Sequence, residues 1–205
     1  MMPCELAARP QGVGMSAETP HIVLGVTGSI AAYKAAELVR QMRRRDWAVS
    51  VVMTAAAAEF VTPLTFQTLS RNAVGTGLFD EKDGWHPEHI AYADRADVLV
   101  IAPCTANVLA KLAHGLADDL LTCTALATRA PLVIAPAMNV KMWEHAATQA
   151  NVALLKNRGA TLAGPAQGDL ACGYEGNGRM LEPDEIVRIV AAVLATTGNK
   201  KESKR

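Results

Sequence analysis

Residues 22–40 constrain the fold most, because they read as a buried strand, a tight turn and a helix in direct succession. The segment opens with an apolar run rich in β-branched residues, and after Gly-Val-Thr-Gly-Ser it becomes rich in Ala, Leu, Lys and Glu with helical periodicity. Gly25 and Gly28 allow a sharp bend or a close backbone approach, and Ser29 can cap the helix. The pattern is neither a complete GxGxxG nor a Walker A loop. On its own, the pattern fits a site for a phosphate-bearing ligand and a plain strand-to-helix turn equally well.

The rest of the chain alternates strand-like and helix-like segments. Further strands are predicted at 48–53, 97–102, 131–135 and 160–163, the second and third of them stopping at Pro103 and Pro136. Helices are predicted at 63–70, 105–114, 117–128, 139–158 and from Pro183 onward, with an irregular stretch at 71–88. Unbroken apolar strands between helices are typical of a parallel sheet covered on both faces.

We therefore predict one doubly wound α/β domain with a mostly parallel sheet, Rossmann-like or flavodoxin-like and three layers thick. It spans residues 21–197, after an unstructured leader over 1–20 and before a basic tail over 198–205. Neither an internal repeat nor an interdomain linker is visible in the sequence.

Charge and cysteine content exclude several classes of function. Lys plus Arg and Asp plus Glu each total 20, so no general attraction to nucleic acid or to membranes is expected. The sequence shows neither a transmembrane run nor a secretory signal, which predicts a cytoplasmic protein. The four cysteines are scattered without CxxC or Cys/His clusters, so we expect no disulfide framework and no metal site.

Small and hydroxyl-bearing residues follow four of the predicted strands, at the edge where such sheets bind ligands. These ends read TGSI at 27–30, TA at 54–55, PCTAN at 103–107 and PAMN at 136–139. Lys, Arg, Asp and Glu are missing from them. The composition favours a flat, uncharged ring with one phosphate over a magnesium-bound nucleoside triphosphate.

A glycine-rich segment lies near the end of the domain. Residues 168–180 contain four glycines in thirteen positions, which predicts a mobile flap with little capacity to form a core. Cys172 lies in its middle, and the spacing alone leaves a structural and a chemical role equally open.

Five motifs, in this order, resemble the FMN-dependent cysteine decarboxylases. They are GSIAAYK at 28–34, HI at 89–90, APCTAN at 102–107, PAMN at 136–139 and ACGxxGxGRM at 171–180. The resemblance covers residues 20–183 and is greatest to the branch that converts 4′-phosphopantothenoylcysteine to 4′-phosphopantetheine in coenzyme A biosynthesis. It implies a carboxy-lyase that needs FMN as an electron sink, since decarboxylation of a cysteinyl group leaves a carbanion with no adjacent acceptor.

The resemblance also implies roles for single residues. His89 acts as a base or orienting group, Asn139 binds the substrate carboxylate, and Cys172 donates the final proton. From the residues alone, His89 is better explained as a structural or surface histidine and Asn139 as a helix N-cap. Further substrate contacts are implied for Met138, Ala171 and Gly173, and FMN contacts for Gly28, Ser29, Ile30, Thr54, Thr105, Asn107 and Ala137. Cys104 departs from the Ala or Leu that relatives carry.

The sequence also allows other functions. A peptidyl-cysteine decarboxylase would share the flavin site and the chemistry, whereas a non-catalytic FMN-binding regulator would not require His89, Asn139 and Cys172 together. A Rossmann-like domain without flavin is a further alternative. The family's assemblies imply a homotrimer or larger homo-oligomer with shared active sites, and the short chain implies a separate ligase or a truncated bifunctional protein.

Overall fold

The computed structural model describes residues 19–79, 87–169 and 175–202. The first half of the domain comprises β1 (His21–Val26), α1 (Ala32–Arg43), β2 (Ala48–Met53), α2 (Ala55–Ala58), α3 (Pro63–Ser70), β3 (Val74–Gly75), α4 (Glu88–Arg95) and β4 (Val98–Cys104). The second half comprises α5 (Ala106–His114), α6 (Leu120–Ala127), β5 (Leu132–Pro136), α7 (Val140–Glu144), α8 (Ala146–Asn157), β6 (Thr161–Leu162), β7 (Ala166–Asp169), β8 (Glu175–Arg179) and α9 (Pro183–Glu202).

Six parallel strands form the central sheet in the order β3-β2-β1-β4-β5-β6. The chain builds outward from β1 to β3 and then returns to the other side of β1 with β4. This reversal puts a topological switch point between β1 and β4, where doubly wound sheets open a crevice at the carboxyl ends of their strands. The predicted fold class is confirmed.

Helices cover both faces of the sheet, because alternate side chains of each buried strand point to opposite sides. On one face, Ile22 and Leu24 of β1 belong to a buried cluster with residues of α1, α3 and α9. On the other face, Val23 belongs to a cluster with residues of α4, α5, α6 and α8. The sheet is thus buried on both sides, as the unbroken apolar strands predict.

Prolines do not end the strands where the sequence predicts that they do. β4 continues through Pro103 to Cys104, and β5 includes Pro136. The pairing of β4 with β5 shifts register between Ile101 and Cys104, and Cys104 is then aligned with Pro136. A proline is tolerated at such an irregularity, because the regular ladder does not require its missing N–H there.

Three helical regions also differ from the sequence prediction. α4 begins at Glu88, the last residue of the predicted irregular stretch, and covers a segment for which the sequence predicts no helix. The single helix expected over 139–158 is two helices, because His145 ends α7 and accepts the N–H of Ala147 at the start of α8. α6 begins at Leu120, since Asp119 forms a capping box with Thr122.

The glycine-rich segment has regular structure in its described part. β7 and β8 pair antiparallel into a ribbon, with Gly168 aligned with Gly176. At the end of the chain, α9 runs to Glu202 and therefore extends into the segment expected as a basic tail.

Two kinds of feature are absent from the described ranges. None of their helices is long and apolar enough to cross a membrane. They also contain no group of three or more His, Cys, Asp or Glu side chains that could hold a metal ion.

Close packing at Gly25 leads to a prediction about stability. A Cβ at Gly25 would overlap Cδ1 of Leu121 in α6, and Leu121 is fully buried. We expect Gly25→Ala to destabilise the protein by about 1–3 kcal/mol through overpacking, measured by denaturant unfolding.

The control is the same substitution in a Leu121→Ala background. There the overlap is gone, so Gly25→Ala should cost nearly nothing. An equal cost in the two backgrounds would show that the contact with Leu121 is not the cause.

Candidate active site

A cavity of about 550 Å³ opens at the carboxyl ends of β1, β4 and β5. Its wall consists of the turn after β1, the first turn of α1, the start of α5, the segment after β5, one residue of α7, and the end of β8 with the residue that follows. The lining residues are Gly28, Ser29, Ile30, Ala31, Tyr33, Lys34, Thr105, Ala106, Ala137, Met138, Asn139, Met142, Gly178, Arg179 and Met180.

The cavity brings together most of the described residues that the sequence predicts for the site. Seven of the ten line it: Gly28, Ser29, Ile30, Thr105, Ala137, Met138 and Asn139. Thr54, His89 and Asn107 are not among its lining residues. Ala171, Cys172 and Gly173 lie outside the described residues.

The turn after β1 forms one wall. A Cβ at Gly28 would lie 2.5 Å from Cβ of Ala56, so only glycine lets the turn pack this closely against α2. Ser29 is not the N-cap of α1, because the helix begins at Ala32 with Ala31 as its cap. Instead, the Ser29 hydroxyl accepts a hydrogen bond from the Ala31 N–H at 3.3 Å. Ser29 therefore shapes the turn rather than the helix end.

The end of β4 forms the floor beside this turn. Thr105 is the N-cap of α5, and its hydroxyl accepts the N–H of Val108 at 3.4 Å. The N–H of Thr105 donates to Oγ1 of Thr27 at 3.1 Å, and this hydroxyl donates in turn to the carbonyl of Pro103 at 2.8 Å. Cys104 is fully buried, and burial raises the pKa of its thiol, so it behaves as an apolar core residue.

The segment after β5 joins the floor to the ribbon. The N–H of Ala137 donates to the carbonyl of Cys104 at 3.0 Å, and the N–H of Met138 donates to the carbonyl of Gly178 at 2.9 Å. Gly178 has a φ of +148°, and a Cβ there would overlap the carbonyl oxygen of Met138. Asn139 caps α7 by accepting the N–H of Lys141 at 2.9 Å, so its capping role is confirmed while it also lines the cavity.

Two cations line the cavity and share a carboxylate that lies behind them. Nζ of Lys34 is 2.7 Å from Oε1 of Glu182, and the guanidinium of Arg179 donates to the same oxygen. The hydrogen bond from Lys34 lowers the pKa of the Glu182 carboxyl. None of the described lining residues is Asp or Glu, so this wall attracts anions.

The sequence motifs predict no role for either cation. Lys34 lies in the first turn of α1 and is the last residue of the GSIAAYK motif, so its place in that motif could have indicated a position at the site. Arg179 belongs to the GRM motif, but only the path of the ribbon brings it to Glu182 and Lys34.

The three remaining described residues have other positions. Thr54 is the N-cap of α2 and accepts the N–H of Ala57 at 3.3 Å. His89 is half-buried in the first turn of α4, a helix that packs against α6. Asn107 is exposed in the first turn of α5.

A family comparison is consistent with this geometry. The sequence matches the Flavoprotein family over residues 13–195, which is most of the chain. Among curated proteins, it is 51% identical over 166 residues to the coenzyme A biosynthesis bifunctional protein CoaBC of Haemophilus influenzae. That alignment covers 81% of this chain but 42% of the relative, so the chain spans about two fifths of the bifunctional protein.

Single-domain relatives and solved structures match over nearly their whole length. The chain is 46% identical to the probable phosphopantothenoylcysteine decarboxylase of Streptococcus mutans, with 83% of this chain and 96% of the relative covered. A cysteine-to-serine mutant of PPC decarboxylase, solved in complex with pantothenoylaminoethenethiol, has a TM-score of 0.76 and 36% identity, with 85% and 98% covered. By sequence and by fold, the chain belongs to the Flavoprotein family, in the branch of the phosphopantothenoylcysteine decarboxylases.

Proposed function

We propose that the chain binds FMN and decarboxylates 4′-phosphopantothenoylcysteine to 4′-phosphopantetheine in coenzyme A biosynthesis, a cytoplasmic step. The observation that carries this proposal is the cavity at the switch point, where residues of four of the five family motifs meet. The identity to relatives of this activity supports it over an unrelated Rossmann-like binder.

The cavity fits FMN in size and in chemistry. A volume of about 550 Å³ lies within the range of small-molecule and cofactor sites, about 300–1,000 Å³. The apolar side chains of Ile30, Met138 and Met180 suit a flat ring, whereas the Ser29 hydroxyl and the amino end of α1 suit a phosphate. FMN bound here would supply the electron sink that the loss of CO2 requires.

Three residues carry out the remaining steps in this proposal. The Asn139 amide orients the substrate carboxylate by hydrogen bonds and adds no competing negative charge. His89 is the base or orienting group of the early steps, and the Cys172 thiol returns a proton to the product carbon. Bound substrate covers the site and excludes water from it. Reactive intermediates are thereby protected from hydrolysis.

The chain acts as a homotrimer or larger homo-oligomer in this proposal, with each active site shared between subunits. The positions of His89 and Asn107 support this arrangement, because neither lines the cavity of its own chain. In a ring of head-to-tail contacts, these residues of one subunit reach the cavity of the next.

The direct test is to incubate the purified protein and FMN with 4′-phosphopantothenoylcysteine and follow the product by mass spectrometry. We expect loss of CO2 to give 4′-phosphopantetheine. The Cys172→Ser variant should stop at a decarboxylated species that is two hydrogens lighter than the product. Turnover of a cysteine-ended peptide in place of this substrate, or no turnover by a folded FMN-bound protein, would contradict the assignment.

A complementation experiment tests the shared site. His89→Asn and Asn139→Asp should each be inactive alone. When they are co-expressed, about one quarter of the sites in a mixed ring combine an intact His89 with an intact Asn139, so activity should return to that level. No recovery in mixed oligomers would mean that both residues act within one chain.

A pair of lysine variants tests the anion-attracting wall. Lys34→Gln should raise KM for the anionic substrate at least about tenfold, because a hydrogen bond to a charged group contributes about 1.5–3 kcal/mol. Lys111→Gln is the matched control, since Nζ of Lys111 lies 2.6 Å from Oδ1 of Asp118 but does not line the cavity. An equal rise in KM for both variants would exclude a local role for Lys34.

A further inference from the structure

The regular ladder between β1 and β4 ends before the site begins. The last aligned pair of these strands is Gly25 with Ile101, and β4 then becomes irregular before Cys104. Pro103 has no N–H to donate. The segment that leads to Thr105 is therefore not held to β1 by strand pairing.

The side chain of Thr27 makes the connection instead. Its hydroxyl donates to the Pro103 carbonyl at 2.8 Å and accepts the Thr105 N–H at 3.1 Å, so it serves as donor and acceptor at once. Thr27 is fully buried and does not line the cavity. Because the Thr27 hydroxyl and the Pro103 carbonyl are both buried, water cannot cheaply replace the hydrogen bond between them if the hydroxyl is removed.

We propose that Thr27 is a positioning residue for the cofactor site. Its hydroxyl fixes the end of β4 against the end of β1, and so holds the two sides of the site in place. This inference rests on the proposed binding of FMN in the cavity. Thr27 acts through Thr105 and Ala106, which line the floor, and through the turn that follows it, which lines the wall. The distance between floor and wall is thus set by one buried hydroxyl group.

Three variants separate positioning from general stability. Thr27→Val keeps the shape of the side chain but removes the hydroxyl, whereas Thr27→Ser keeps the hydroxyl. Thr124→Val is the control, because Thr124 is equally buried and its hydroxyl donates to the carbonyl of Leu120 at 2.8 Å within α6, away from the cavity. FMN affinity by flavin fluorescence and Tm without FMN are measured for each variant.

We expect Thr27→Val to weaken FMN binding at least about tenfold and Thr27→Ser to remain within about threefold of the unmodified protein. Thr124→Val should lower Tm but leave FMN affinity within about twofold, because its lost hydrogen bond lies elsewhere. Unchanged FMN affinity in Thr27→Val, or an equal loss in Thr124→Val, would overturn the proposal. If the unmodified protein itself does not bind FMN, the proposed function fails rather than the role of Thr27.

A measurement on the unmodified protein without FMN keeps the proposal testable if Thr27→Val does not fold. The Thr105 amide lies beyond the regular ladder of β1 with β4, yet its exchange with deuterium should be slow because Thr27 accepts its hydrogen bond. Exchange as fast as that of an exposed loop amide would show that this bond does not hold the segment.

Discussion

A path of hydrogen bonds crosses the carboxyl edge of the sheet, and the candidate site depends on it. The path runs from Thr27 to the end of β4, from the Cys104 carbonyl to Ala137 after β5, and from Met138 to Gly178 in the ribbon. It joins four segments that are far apart in sequence. All of its links are backbone to backbone except those of Thr27, so this is the point where a single side chain controls the geometry of the wall.

The strand order explains why the path encloses a cavity. β1 lies between β2 and β4, and the helices that follow β1 and β4 leave toward opposite faces of the sheet, which opens a crevice between their first turns. Gly28 in the turn after β1 packs against Ala56 of α2, so this side of the crevice is backed by α2. The only charged side chains among the described residues that line it are Lys34 and Arg179, with Glu182 behind them. In the proposed function, this shape and charge suit a ligand with a flat ring and anionic groups.

Much of this arrangement could be predicted from the sequence, because it depends on local patterns. Alternating apolar strands and helices predict the doubly wound sheet, and small residues at the strand ends predict the edge that carries the cavity. The continuation of β4 through Pro103 could not be predicted, since it depends on an irregular register with β5. The meeting of Lys34 with Arg179 through Glu182 also depends on tertiary contacts rather than on spacing. The expected roles of His89 and Cys172 remain predictions.

A crystal structure of the protein grown with FMN would show whether this cavity holds the flavin. We expect electron density for the complete cofactor between the turn at 28–31, Thr105 and the segment at 137–139, with its phosphate at the amino end of α1. Density for FMN at any other place on the protein, or an empty cavity in crystals of protein saturated with FMN, would show that this cavity is not the flavin site.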